Sequence, residues 1–330
     1  MAKRKAKAKP EAALGPGEIL GKPIRERYPD RQRGWSVEHH GKNIHVVKVH
    51  RPNAKKVEQW VLLLADNHID NPKARNDVTS RLLGEAVQRD AAVIVVGDFL
   101  DLMQGVADRR ASKSALRSSL LSDGYFDKVI DMGADLCAPY ASHIAVMAQG
   151  NHESAWLRHN SSDPTENLVR AIKDRAHSPI GAGAYGGWIK FQFMVGGNHL
   201  AYTMRYQHGT GGGASPMSMG VLDARRMYSW IEGADSIVIS HNHASNVVGI
   251  AREYLRCQNG AYTVEKRYCD MIRVGTTKDA WADGAHGWEV EKGFGPSPIR
   301  QKWLRLFVTW DYAEKKGGRA RIAWDVHDAQ

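Results

Sequence analysis

Ala91-Ala92-Val93-Ile94-Val95-Val96-Gly97-Asp98-Phe99-Leu100-Asp101 is an apolar run that stops abruptly on a glycine and a carboxylate. A run this short, rich in β-branched residues, reads as a strand buried on both faces. The same construction recurs around it. Trp60-Val61-Leu62-Leu63-Leu64-Ala65 ends in Asp66-Asn67-His68, and His143-Ile144-Ala145-Val146-Met147-Ala148 leads into Gly150-Asn151-His152-Glu153. Further on, Ser236-Ile237-Val238-Ile239-Ser240 ends in His241-Asn242-His243, and the run from His199 to Tyr206 passes into Gln207-His208-Gly209. Apolar strands have no need of such residues at their ends. In open α/β sheets, ligand sites form beyond the carboxyl ends of strands.

Helical patterns fall between these strands. Asp77 to Gln88 places Val78, Leu82, Leu83 and Val87 on one face. Ala111 to Leu121, Tyr125 to Leu136, Leu168 to Ala176 and Met217 to Ile231 read as further helices. Hairpins are expected at Gly187–Met194 with His199–Tyr206, and at Trp303–Trp310 with Ala320–Trp324 across a Lys315–Gly318 turn. The chain is therefore a mixed α/β protein. Residues 1–34 form a basic, flexible arm that either touches phosphate backbones or aids solubility. Residues 35–57 form a short β-hairpin appendage, and residues 58–330 form the main domain with its C-terminal hairpin.

Composition narrows the class. No apolar run is long enough for a transmembrane helix, and the basic start lacks the apolar stretch of a secretory signal. Cys137, Cys257 and Cys269 have neither disulfide nor CxxC spacing, which fits buried thiols in a reducing, cytoplasmic setting. The net charge of +10 favours polyanionic partners.

The strand-end residues are the kinds that hold divalent cations. A metal needs several N or O ligands converging from different loops. Asp66 with His68, and His241 with His243, are spaced to grip as pairs. Asp98 has two oxygens and can bridge two ions. The glycines before Asp98 and Asn151 let the backbone turn tightly. A single Asp-x-His is commonplace, but five such elements in order, each behind an apolar run, are not what solvated loops require.

That ordered set, D-x-H, GDxxD, GNHE, a single His and HxH, resembles the calcineurin-like metallophosphoesterase superfamily, over about Trp60 to Ser245. The resemblance implies a four-layer αββα sandwich of mixed β-sheets. It implies two divalent ions, manganese first, with iron, zinc or nickel as alternatives. Asp66, His68 and His243 would hold one ion, Asn151, His208 and His241 the other, and Asp98 would bridge both. His152 would face the phosphate, and a metal-bridging hydroxide would attack phosphorus. Ser240 stands where many relatives have glycine, at a position expected to supply backbone only.

Protein phosphatases of the superfamily carry an arginine where this chain has Leu102, so that reading is disfavoured; Arg109, Arg110 or Arg158 would have to substitute. The overall look is nearer the nuclease-like and phage-type members. A phosphodiester in DNA or RNA is the expected substrate, with no membrane partner. A phosphomonoesterase, a small-nucleotide phosphodiesterase and a non-catalytic nucleic-acid binding module are the alternatives. Arg273–Thr277 and Trp288–Pro298 resemble the segment after HxH in such proteins, and read either as a loop near the site or as a core cover. Asp101 either orients a ligand or caps a helix, and Gly211-Gly212-Gly213 either admits phosphate or simply turns. His39, His40, His45 and His50 lie outside the motif frame. Trp303, Trp310 and Trp324 read as core.

Overall fold

A computed structural model of the chain describes residues 31–50, 57–103, 116–121, 123–195, 197–209, 221–281, 288–291, 293, 295–311 and 319–330. Most of the basic arm, Arg109, Arg110, Gly211–Gly213 and the Lys315–Gly318 turn lie outside these residues, as do residues 111–115 of the helix expected at Ala111–Leu121 and the start of the one expected at Met217–Ile231; the described part of the former holds only a short 3-10 turn, Ser118–Leu120.

Four parallel strands succeed one another in the first sheet: β3 (Glu58–Leu64), β4 (Ala92–Val96), β5 (Ile144–Ala148) and β6 (Gly181–Gly183). The hairpin of β12 (Gln301–Asp311) and β13 (Arg319–Ala329) extends it, with β12 antiparallel to β3. The second sheet runs in the order β1 (Trp35–His40), β2 (Ile44–Val49), β7 (Gly186–Val195), β8 (Asn198–Gln207), β9 (Ser236–Ile239), β11 (Ala261–Arg273) and β10 (Asn246–Gln258).

Period-two alternation decides how the layers stack. On β3, Leu62 and Leu64 face α1 (Asn76–Gln88), α2 (Tyr125–Cys137) and α4 (Pro164–Arg175), packing with Leu82, Val129, Leu168 and Ile172. Val61 and Leu63 face the other way and meet Phe191, Phe193, Tyr202 and Tyr206 of the second sheet. On that sheet's far side, Met227 of α5 (Val221–Tyr228) packs on Ile237, Ile239 and Met271. Helices, sheet, sheet and helix form the four-layer mixed-sheet sandwich implied by the resemblance. No helix among the described residues is long and apolar enough to cross a membrane.

Some expectations are corrected. The 35–57 hairpin is no appendage: β2 pairs in parallel with β7, and Trp35, Val47 and Val49 are buried between the sheets. Polar alternation in a half-exposed edge made it read as separate. Cys257 is exposed on β10, while Cys137 and Cys269 are buried. Trp303 is core, but Trp310 is 37% exposed. The β10–β11 hairpin went unread, because its outer residues face solvent and carry no buried period.

His45 on β2 is fully buried, 2.8 Å from His39 Nδ1 and stacked on Tyr206. Burial, then the neighbouring His39, pushes it down to about 4. The unfolded chain titrates near 6.5, so it takes up the proton first as pH falls. Stability is complete above the unfolded value and is lost as pH falls through the folded one. Between pH 7 and 5 the loss from His45 is about 2 kcal/mol. Urea unfolding of the wild type and His45→Gln in chelator should diverge by that amount over this range. Parallel pH profiles would remove His45 as the cause.

Candidate metal centre

The strand ends place their polar residues by an unusual backbone. Asp66 (φ 49°), His68 (47°), Asp98 (49°), His241 (79°) and His243 (59°) all occupy the left-handed region. Each such residue costs roughly 1 kcal/mol or more, and such costs cluster where function demands them. The pairs Asp66/His68 and His241/His243 therefore converge because both members lie past the strand ends in a left-handed turn, not because an extended strand aims them together. Hydrogen bonds hold the first two loops side by side: Asp66 N to Gly97 O at 3.1 Å, His68 N to Asp98 O at 3.1 Å and Ile69 N to Phe99 O at 3.0 Å.

The two glycines serve different needs. Gly97 has φ 88°, as a tight turn requires. Gly150 is extended; its need is space, because a Cβ there would lie 2.1 Å from Asp98 Oδ1. It leads into α3 (Asn151–Asn160), a helix the sequence pattern did not disclose.

The side chains meet at one point. Asp66, His68 and His243 form one group able to hold an ion, and Asp98, His208 and His241 form another. Asp98 also groups with His68 and His152, so it stands between the two sets. His68 Nε2 and His243 Nε2 are 3.3 Å apart. Two nitrogens bound to one metal at about 2.0–2.1 Å with tetrahedral angles would stand about 3.4 Å apart. Asn151 Oδ1 lies 2.7 Å from His241 Nδ1 and 3.0 Å from His208 Nε2. Ligands at right angles around a metal at about 2.1 Å would stand about 3.0 Å apart. Asp66 is fully buried; its Oδ2 accepts from His241 N at 2.9 Å, while Oδ1 has no hydrogen-bond partner among the described residues. A buried carboxylate oxygen with no partner is costly, and a cation removes the cost. The donor set thus fits divalent ions.

Charge tells the same story. Burial, together with nearby Asp98, pushes Asp66 up to about 7. Burial works against charge on His208, but Asp98 3.0 Å away and then Asp66 outweigh it and push the imidazole up to about 10. A proton on His208 supplies the positive charge that the carboxylates demand. His241 is pushed down to about 4, by burial first and then by His208, and burial holds His243 well below its ordinary value. Neutral imidazoles are the form that ligates.

A supporting ring fixes these groups. Asp101 Oδ1 lies 2.9 Å from His68 Nδ1, so it orients that imidazole. It caps no helix. Glu153 accepts from Asp98 N, Leu100 N and Gly150 N at 3.2, 3.0 and 2.8 Å, which ties the second loop to the third. Ser240 does more than supply backbone: its Oγ lies 3.0 Å from both His208 Nδ1 and Val96 O. His208 Nδ1 in turn donates to Val96 O at 2.8 Å, which turns Nε2 toward the centre. Thr276 Oγ1 donates to Asp66 O at 2.6 Å, so the loop after β11 does reach the site. Leu102 is buried, and of the three arginines that could stand in for it only Arg158 is described, exposed on α3. His39, His40 and His50 are exposed.

His152 N donates to Asp98 Oδ1 at 3.0 Å, and its Nδ1 bonds the Asp101 carbonyl. That bond fixes the proton on Nδ1 and leaves Nε2 facing the centre, 3.7 Å from Asp98 Oδ2.

No protein-family model matches the chain, and no curated protein matches it. Among solved structures, it is similar to Vps29 of Chaetomium thermophilum, at 8% identity and TM-score 0.31, covering 82% of this chain and 98% of that one. The same protein complexed with a RaPID-derived cyclic peptide gives 8% identity and TM-score 0.26, over 83% and 98% of the two chains. GAP50, the anchor in the inner membrane complex of Plasmodium, gives 14% identity and TM-score 0.33, over 79% and 86%. Likeness at these scores says nothing about activity, and function is read from the site's own residues.

Proposed function

We propose that the chain is a dinuclear metal-dependent phosphoesterase that hydrolyses phosphodiester bonds, with nucleic acid as its substrate. The observation that carries this reading is Asp66 Oδ1, which accepts no hydrogen bond among the described residues and is buried where imidazole nitrogens and the Asp98 carboxylate converge. Asp66, His68 and His243 would hold one ion and Asn151, His208 and His241 the other, with Asp98 between them. Two divalent ions, manganese by preference, would supply an activated water and a clamp for the phosphoryl oxygens.

The chain's own residues do the rest. Asp101 and Ser240 hold His68 and His208 in single orientations, so the ligands cost no reorganisation. His152, protonated at Nε2, donates to the departing oxygen. The choice of a diester rests on charge. A monoester carries an extra negative charge and is gripped by a guanidinium fork in protein phosphatases. Leu102 offers no such fork, and a singly charged diester needs none. The net charge of +10 supports a polyanionic substrate.

With manganese, the protein should cleave bis-p-nitrophenyl phosphate and single-stranded oligonucleotides but leave p-nitrophenyl phosphate nearly untouched. His152→Gln should lower kcat on oligonucleotides about 10²-fold while manganese uptake stays unchanged. Faster turnover of the monoester would sink the diesterase reading. An undiminished rate in the variant would remove His152 as the acid.

A further inference from the structure

Beside the metal-ligand cluster, between α5 and the loop after β9, lies a cavity of ≈ 150 Å³. Its walls include Gln207, Asp223, Arg226, Trp230, Asn242 and Arg273, and it shares His241 with the cluster. We propose that this cavity is a nucleoside subsite, taking the base of the nucleotide next to the scissile phosphate. The proposal rests on the phosphodiesterase reading and names the substrate group recognised beside that centre.

Size comes first. A cavity of about 150 Å³ admits a single benzene-sized ring. Trp230 is 58% exposed, a large cost in apolar area for a residue at a cavity wall. It is also held in place. Its backbone N bonds Met227 O at 3.3 Å, and Met227 and Ile231 on either side are buried in the outer core. An anchored, solvent-facing indole is a stacking platform, and every base has a face to stack on it.

The polar groups sort the ligand further. Arg273 is buried and committed, donating to Ser240 O at 2.9 Å and to Asn242 Oδ1 at 2.7 Å. With Oδ1 engaged, the Asn242 amide offers its N–H groups. Gln207 contributes a second carboxamide to the lining. An aliphatic ligand would leave these groups unpaired at a cost, whereas the edge of a base pairs with them. Arg226 is exposed and makes no ion pair among the described residues, so a neighbouring phosphate is its natural partner. Because His241 belongs to both cavity and cluster, a base held here leaves its own phosphate at the metal ligands.

The test compares two diesters that share a leaving group, thymidine 5′-p-nitrophenyl phosphate and methyl p-nitrophenyl phosphate, in the manganese-loaded protein. The ratio of their kcat/KM values should fall about tenfold in Trp230→Ala, as one lost stacking contact predicts, and largely recover in Trp230→Phe. Arg226→Gln should raise KM for a trinucleotide more than for the thymidine ester. An unchanged ratio in Trp230→Ala would overturn the subsite while leaving the diesterase reading intact. Should the wild type cleave neither ester, that reading falls by itself, and binding decides the subsite. Equilibrium dialysis of thymidine 5′-monophosphate against the metal-free protein should then show at least fivefold weaker binding in Trp230→Ala, and equal binding would end the proposal.

Discussion

Asp98→Asn should lower phosphodiesterase activity by about 10³-fold or more and leave the protein holding at most one divalent ion per chain. Asp98 is the carboxylate that groups with His68 on one side and with His208 and His241 on the other. Its Oδ1 accepts from His152 N, and its Oδ2 lies 3.0 Å from His208 Nε2. Asparagine keeps the shape and one acceptor but removes the charge. It also tolerates the left-handed backbone that Asp98 adopts at φ 49°, so the loop need not rebuild. Lewis-acid stabilisation is worth several kcal/mol, and each 1.36 kcal/mol is about a factor of ten in rate. Equilibrium dialysis against manganese counts the ions, and initial rates on bis-p-nitrophenyl phosphate give the activity. A variant that binds two ions and turns over at the wild-type rate would remove Asp98 from between the two sets.

The metal-free variant should be less stable than the metal-free wild type at neutral pH. Asp98 is buried beside Asp66 and Glu153, and these last two are each pushed up to about 7, by burial first and then with Asp98 contributing, so removing its charge relieves some repulsion. Burial works against the Asp98 charge as well, but His208 and then His152 outweigh it and hold the carboxyl well below its ordinary value, so the charge is net stabilising. The variant leaves the His208 imidazolium without its partner 3.0 Å away. Urea unfolding of both proteins in chelator measures the loss, and a variant midpoint at or above that of the wild type would mean that the repulsion outweighs the pair.

The strand ends were legible because an apolar run that stops on Asp, Asn or His breaks its own pattern. Asp101 was legible down to two roles, of which its contact with His68 fits the first, whereas Glu153 was legible as a residue but not as a role. Glu153 ties together loops that are 53–55 positions apart in the chain, and no local pattern carries such a link. Ser240 looked like a neutral replacement for glycine, because its hydroxyl finds its partners on His208 and Val96, brought near only by the second sheet. Gln301 is similar. It is a buried amide that bonds both Ala65 N and Ala65 O and so steadies the end of β3. Its strand also carries Lys302, Arg305, Thr309 and Asp311, so one more polar residue at its head gave no local signal. The left-handed turns were hidden for another reason. Asp and His at such φ values are uncommon, and only the need to converge on one point explains why the chain accepts them.

Two glycines should respond to alanine with opposite signs. At Gly150 an added Cβ would lie 2.1 Å from Asp98 Oδ1 and 2.3 Å from Asp98 N. These are atoms of a buried loop pinned by Glu153 and by the His68 N–H, so they cannot step aside cheaply. Overpacking of this kind costs about 3 kcal/mol. It also displaces the carboxylate that lies between the two ligand sets, so manganese affinity should fall along with stability. At Gly84, inside α1, the added Cβ meets nothing nearer than Tyr140 Cε1 at 3.7 Å, an ordinary contact. There alanine only restores helix propensity, for a gain of about 1 kcal/mol. Urea midpoints of the two variants should bracket the wild type, and manganese titration of folded Gly84→Ala should match it. If Gly150→Ala unfolds with the wild-type midpoint and binds metal normally, the loops yield where packing and hydrogen bonding say they cannot. The close approach of the third strand end to Asp98 would then have no part in building the centre.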